Sequence, residues 1–166
     1  MIRLLNILPL VFFFSVSLCS WAQDHSGKKE AVYYENHRLD YNLKTRSKPH
    51  RGLTIVEGDK LVFDLNWNND GDPGNASLAP GRFAFEVNGA QKKFELSGDA
   101  LMKKNAFYGH LCHCEDGGFQ HVIAGTINGK KLSNGHWQIN MDVTVKGDHS
   151  GKTYHLDQTI EYAAKE

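Results

Sequence analysis

The chain is predicted to be all-β, an antiparallel β-sandwich of about nine strands, with a small closed β-barrel as the alternative. Three observations carry this. Apolar and polar residues alternate at period two along most of the chain, turn pairs rich in Gly, Asn and Asp punctuate it at short spacing, and no helical periodicity persists beyond ten residues.

The elements follow in order. Leu39, Tyr41 and Leu43 alternate with polar residues, and Leu53, Thr54, Ile55 and Val56 form a short apolar strand closed by Gly58 and Asp59. Leu61, Phe63, Leu65 and Trp67 make the next apolar face, and Phe83, Phe85 and Val87 the one after. Asn88-Gly89 is a two-residue hairpin signal leading into Phe94 and Leu96. Residues 99–105 could form one helical turn. Residues 107–114 and 119–127 read as a hairpin joined near Gly117-Gly118, with tight turns expected at Asn128-Gly129 and Asn134-Gly135. Trp137, Ile139, Met141, Val143 and Val145 alternate without a break with Gln138, Asn140, Asp142 and Thr144, which defines a half-buried strand. Its register favours core packing for Trp137 over a sugar-stacking platform. Tyr154, Leu156, Ile160 and Tyr162 repeat the pattern, with Gln158 interrupting it.

The first residues predict export. Met1, Ile2 and Arg3 give a positive start, residues 4–18 are almost wholly apolar, and Ser20, Trp21 and Ala22 place small residues where a signal peptidase reads. The apolar run is shorter than the ~20 residues a membrane span needs. Residues 1–22 are therefore assigned as a cleaved signal peptide, 23–31 as a flexible leader and 32–166 as one β domain, placed in the periplasm or outside the cell. After cleavage, no apolar run long enough for a span remains.

The mature part keeps 18 basic and 19 acidic residues, a net charge of −1, with its lysines scattered. That distribution lacks the basic stripe of a nucleic-acid surface and excludes that class. No nucleophile elbow, phosphate loop, dinucleotide fingerprint or zinc-protease helix occurs, so the reading leans away from an enzyme.

Chemistry concentrates in His110-Leu111-Cys112-His113-Cys114, followed by His121. Residues two apart on a strand share a face, which puts His110, Cys112 and Cys114 on one side. A turn at Gly117-Gly118 sets His121 opposite Cys114, and one at Asp116-Gly117 sets it opposite Cys112, with Cβ atoms about 5 Å apart in either register. Three readings compete. Thiolate and imidazole suit zinc or copper; an exported pair of cysteines can form a disulfide; or both can be buried as small apolar side chains. In a regular strand Cys112 and Cys114 lie about 6.6 Å apart, at the upper edge of disulfide geometry. His110 and Cys114 lie about 13 Å apart. The ligand set is therefore Cys112, Cys114 and His121, with His110 joining only if the strand bends.

The long irregular 68–80 loop carries Asn68, Asp70, Asp72 and Asn75, oxygen donors near a glycine. It lacks the closing glutamate of a calcium loop, having Ser77 there, which makes calcium the lesser reading. Loops of this length in compact domains often carry function. The alternative to a metal-binding module is therefore a partner module of the inhibitor or adhesion type, which captures an extracytoplasmic protein or glycan through this loop or a sheet face while its cysteines are structural.

Overall fold

The structure, a computed structural model, describes residues 29–42, 52–67, 81–102, 106–110 and 115–165. The assigned signal peptide, the 68–80 loop, Cys112 and Cys114 lie outside them. Among the described residues the chain is almost entirely strand: β1 (Lys29–Asn42), β2 (Gly52–Trp67), β3 (Gly81–Asn88), β4 (Lys93–Ser97), β5 (Ala106–His110), β6 (Gly118–Lys131), β7 (Trp137–Lys146) and β8 (Thr153–Ala164). One short helix, α1 (Gly98–Met102), joins β4 to β5 where a helical turn is expected.

Eight strands rather than nine arise because β2 merges two of the expected ones. Gly58 and Asp59 do not end a strand. They are the extra residues of a bulge, since His37 of β1 faces both Glu57 and Lys60. Asn36 takes up the strain on the other strand with φ of 58°. At the N-terminus β1 starts at Lys29, opposite Trp67, so residues 29–31 of the expected leader belong to the sheet.

The strands run in the order β6-β5-β3-β2-β1-β8-β7, and β7 returns to β6, so hydrogen bonds follow a ring; β4 hangs on β6 outside it. Nearly all the pairings are antiparallel, as predicted. The exception is a short parallel contact between the first and last strands, Val32 with Ala163 and Tyr33 with Ala164. β6 serves two neighbourhoods, first with β5 and later with β4 and β7. Its ladder with β7 slips between Val122 and Ala124. Gly125 follows with φ of 117°, and a Cβ there would lie 2.0 Å from the Asp142 carbonyl oxygen. Only glycine meets both demands.

Alternation decides which side chains fill the ring. Along β7 every second residue from Trp137 to Val145 is buried and the intervening ones are not, as the pattern predicts. Phe63 lies at the centre, stacked on Phe85 at 4.8 Å and edge-on to Trp137 and Tyr162, each at 5.4 Å. Such ring pairs contribute roughly 0.5–1.5 kcal/mol each beyond the area they bury. Asn128-Gly129 is not a turn but part of β6, with Asn128 opposite Glu95 on one side and Asn140 on the other. The glycine is needed because the Phe94 ring lies 2.2 Å from where its Cβ would be.

A second, smaller core forms on the outside of the sheet. Beyond the bulge, Leu39, Tyr41 and Leu53 pack on Ala84, Phe107 and Phe119. Two polar ties hold this arrangement: Arg82 donates to both oxygens of the buried Asp64, at 2.7 and 3.0 Å, and to the Leu53 carbonyl at 2.9 Å. The Leu39 amide donates to Glu86 Oε2 at 2.7 Å.

Candidate functional site

The register brings together the strand ends that flank the suspect segments. Trp67 pairs with Gly81, Gly81 with His110, and His110 with Gly118. The 68–80 loop and the 111–117 connection therefore leave the sheet from one end, on neighbouring strands. Asn68, Asp70, Asp72 and Asn75 are attached to that end, as are Cys112 and Cys114, all six outside the described residues.

His110 is the last residue of β5. It shares a face with Tyr108, which belongs to the interior core, and its ring lies 4.7 Å from that of Tyr108 and 4.8 Å from that of Tyr154. Tyr108 in turn approaches Trp67 at 5.8 Å and Tyr154 at 6.1 Å. His110 Nε2 is buried and has no hydrogen-bond partner among the described residues. Burial pushes the imidazole pKa below its ordinary value of 6.5, with nearby Asp116 opposing. The net shift favours the neutral ring, the state in which an imidazole nitrogen can act as a ligand.

Asp116 is only 3% exposed. It accepts from the backbone amides of His149 at 3.2 Å and Ser150 at 3.0 Å, from the Ser150 hydroxyl, and from the Tyr154 hydroxyl at 2.8 Å. Burial alone would raise its pKa, but these donors outweigh it and hold the carboxyl well below the usual range. One ionised side chain thus fastens the β5–β6 connection to the turn before β8. Gln120, 2% exposed, donates through Nε2 to the Asp116 carbonyl at 2.5 Å, while its Oε1 is buried without a partner among the described residues.

The sequence reading sets His121 beside a cysteine. The structure sets it opposite Phe107. β5 ends at His110, and seven residues, not a tight turn at Gly117-Gly118, connect it to β6. The His121 ring lies 4.9 Å from Phe107 and 5.6 Å from Tyr41, on the outer face, whereas His110 faces inward with Tyr108. The two imidazoles stand on opposite sides of the sheet and cannot share one ion. Among the described residues no three His, Cys, Asp or Glu side chains come close enough to hold a metal. No helix among them is long and apolar enough to cross a membrane.

No known relative is found. No protein-family model matches the chain, and neither the curated proteins nor the solved structures contain a match.

Asp116, Gln120, Ser150 and Tyr154 escaped the sequence reading. Asp116 reads locally as an ordinary turn residue of the Asp-Gly-Gly type, and its donors come from 33–38 residues further along. Only the length of the β5–β6 connection could have pointed to them.

Proposed function

We propose that this is an exported, non-enzymatic binding module that holds a soft transition-metal ion, zinc or copper, at the β5–β6 connection. Its ligands are the Cys112 and Cys114 thiolates and the His110 imidazole. The observation that supports this reading is His110 itself: a half-buried ring whose buried Nε2 has no hydrogen-bond partner among the described residues, fixed between Tyr108 and Tyr154 two residues before Cys112. A buried polar atom of this kind ordinarily has a partner, and an imidazole beside thiolates suits these metals. His121 faces away, so the reading takes one imidazole. Gln120 and Asp116 stand next to it as the groups that hold the connection in place.

Native mass spectrometry of the mature protein, purified without chelator or reductant, tests this. One zinc or copper per chain is expected, absent from Cys112→Ser and Cys114→Ser. His110→Ala should lower affinity by at least the roughly 10–100-fold that loss of an outer-shell partner costs, and His121→Ala should leave it unchanged. A metal-free chain lighter by the hydrogens of one disulfide would overturn the metal reading and make the cysteines structural.

A further inference from the structure

Three Asn-Gly pairs stand in the chain, Asn88-Gly89, Asn128-Gly129 and Asn134-Gly135, and each reads as a tight turn. The structure gives them three different surroundings. Asn128-Gly129 lies inside β6, paired on both sides, with Gly129 buried. Asn134-Gly135 does turn the chain between β6 and β7, but it is fastened. The Gly135 amide donates to the Leu132 carbonyl at 3.1 Å, Asn134 Nδ2 donates to Glu161 Oε1 at 3.1 Å, and Asn134 Oδ1 accepts from the His136 amide at 3.0 Å. Asn88-Gly89 is not a hairpin, because β3 pairs with β2 and β5 while β4 pairs with β6 alone. Asn88 is the last residue of β3, residues 89–92 lead on to β4, and both Asn88 and Gly89 are exposed.

An asparagine followed by glycine has a reaction open to it. The glycine nitrogen attacks the side-chain Cγ, and the missing Cβ of glycine leaves that approach unobstructed. The N–Cγ bond forms, the Cγ–Nδ2 bond breaks, and ammonia departs with the proton of the attacking N–H. Water then opens the cyclic imide at either carbonyl to give aspartate or isoaspartate. In sum, asparagine and water become aspartate and ammonia, with no change in oxidation state.

Two features favour this at Asn88. Lys60 Nζ donates to Asn88 Oδ1 at 3.0 Å, the oxygen that becomes negative as nitrogen adds to Cγ. A cationic donor placed there stabilises the transition state more than the ground state. Asp59 Oδ2, 3.8 Å from the same ammonium and highly exposed, moderates the effect. Gly89 also lies beyond the last pair of the β2–β3 ladder, Lys60 with Asn88, where the backbone can adjust as the ring closes.

We propose that Asn88 is a self-modification site, deamidating through Gly89 with Lys60 as a positioning donor, while Asn128 and Asn134 persist. The new carboxylate faces the Lys60 ammonium. An exposed pair of this kind changes stability little, so the protein stays folded in a more acidic form. The site is independent of the metal reading.

The test holds the mature protein at neutral pH and physiological temperature for weeks and reads each asparagine by peptide mass spectrometry, as replacement of NH₂ by OH. Asn88 should convert at least about tenfold faster than Asn134, whose attacking amide must first give up a hydrogen bond. Lys60→Met should slow Asn88 by roughly three- to tenfold, and Lys60→Arg should restore the rate. In urea the three sites should converge, since the ranking comes from the fold. The proposal is overturned if Asn88 stays intact, if Asn128 or Asn134 keeps pace with it, if Lys60→Met leaves the rate unchanged, or if the ranking survives unfolding.

Discussion

Asp116 carries a charge where water hardly reaches, and four hydrogen bonds make that tolerable. Charge-assisted bonds of this kind are individually stronger than neutral ones. Replacing the carboxylate by the amide in Asp116→Asn sets an N–H₂ against hydroxyl and amide donors, at a cost of about 2 kcal/mol. The pH dependence has a definite sign. An unfolded aspartate titrates near 3.8 and the folded one lower, so the contribution is complete above that pH and disappears as the pH falls below it. Urea denaturation at pH 7 and at pH 3 should therefore show a gap between wild type and Asp116→Asn that narrows in acid. A constant gap would mean the side chain acts by shape alone. At this scale the sequence is least informative. Asp64 and Asp116 look like surface residues, yet both are buried, because Arg82 on the neighbouring strand and Ser150 in the turn before β8, both remote in sequence, complete them.

Elements were more legible. Period-two alternation located β7 and β8 correctly because both strands keep one face on the core throughout. Where it misled, a glycine was responsible. Asn128-Gly129 resembles a hairpin turn, but the glycine is there for the Phe94 ring, and Gly58-Asp59 is a bulge rather than a stop. Turn chemistry and close packing select the same residue, and the sequence cannot tell which is in force. Gly125 allows a test. Its backbone lies in the left-handed region and its missing Cβ faces the Asp142 carbonyl. Gly125→Ala should destabilise the protein by about 2 kcal/mol or more, since backbone strain and the steric clash add. Thermal unfolding would measure this, and amide shifts should change along β6 and β7 near the slip in their ladder. The candidate site was half legible on the same grounds. His110 and the cysteines stand out in any reading, but the partner of His121 depends on a register that the seven-residue connection, not a turn motif, determines.

As a whole, the molecule is a ring joined by little. β1 meets β8 through two residue pairs, the Lys165 amide donating to the Tyr33 carbonyl at 2.9 Å, and an exposed ion pair between Lys165 and Glu30 at 2.8 Å. The ion pair is exposed and contributes little, so closure rests on the backbone bonds and on Tyr162 behind them. Removing residues 163–166 should leave the core intact and free this junction. Hydrogen exchange should then accelerate in β1 around Val32 and Tyr33 and in the last turns of β8, with the β2–β3 ladder unaffected. Loss of all protection would show the closure to be essential to the fold.

That junction has a consequence for synthesis. The first strand is made about 130 residues before the strand that completes it. At translation rates of roughly 5–20 residues per second, this is a delay on the order of 10 s. Until β8 is made, no amount of local pairing can finish the ring, and the edge of β1 that meets Ala163 and Ala164 stays unpaired, although its other edge can already join β2. A ring of this kind is closed by the last of its described strands to be made, so its completion waits on β8.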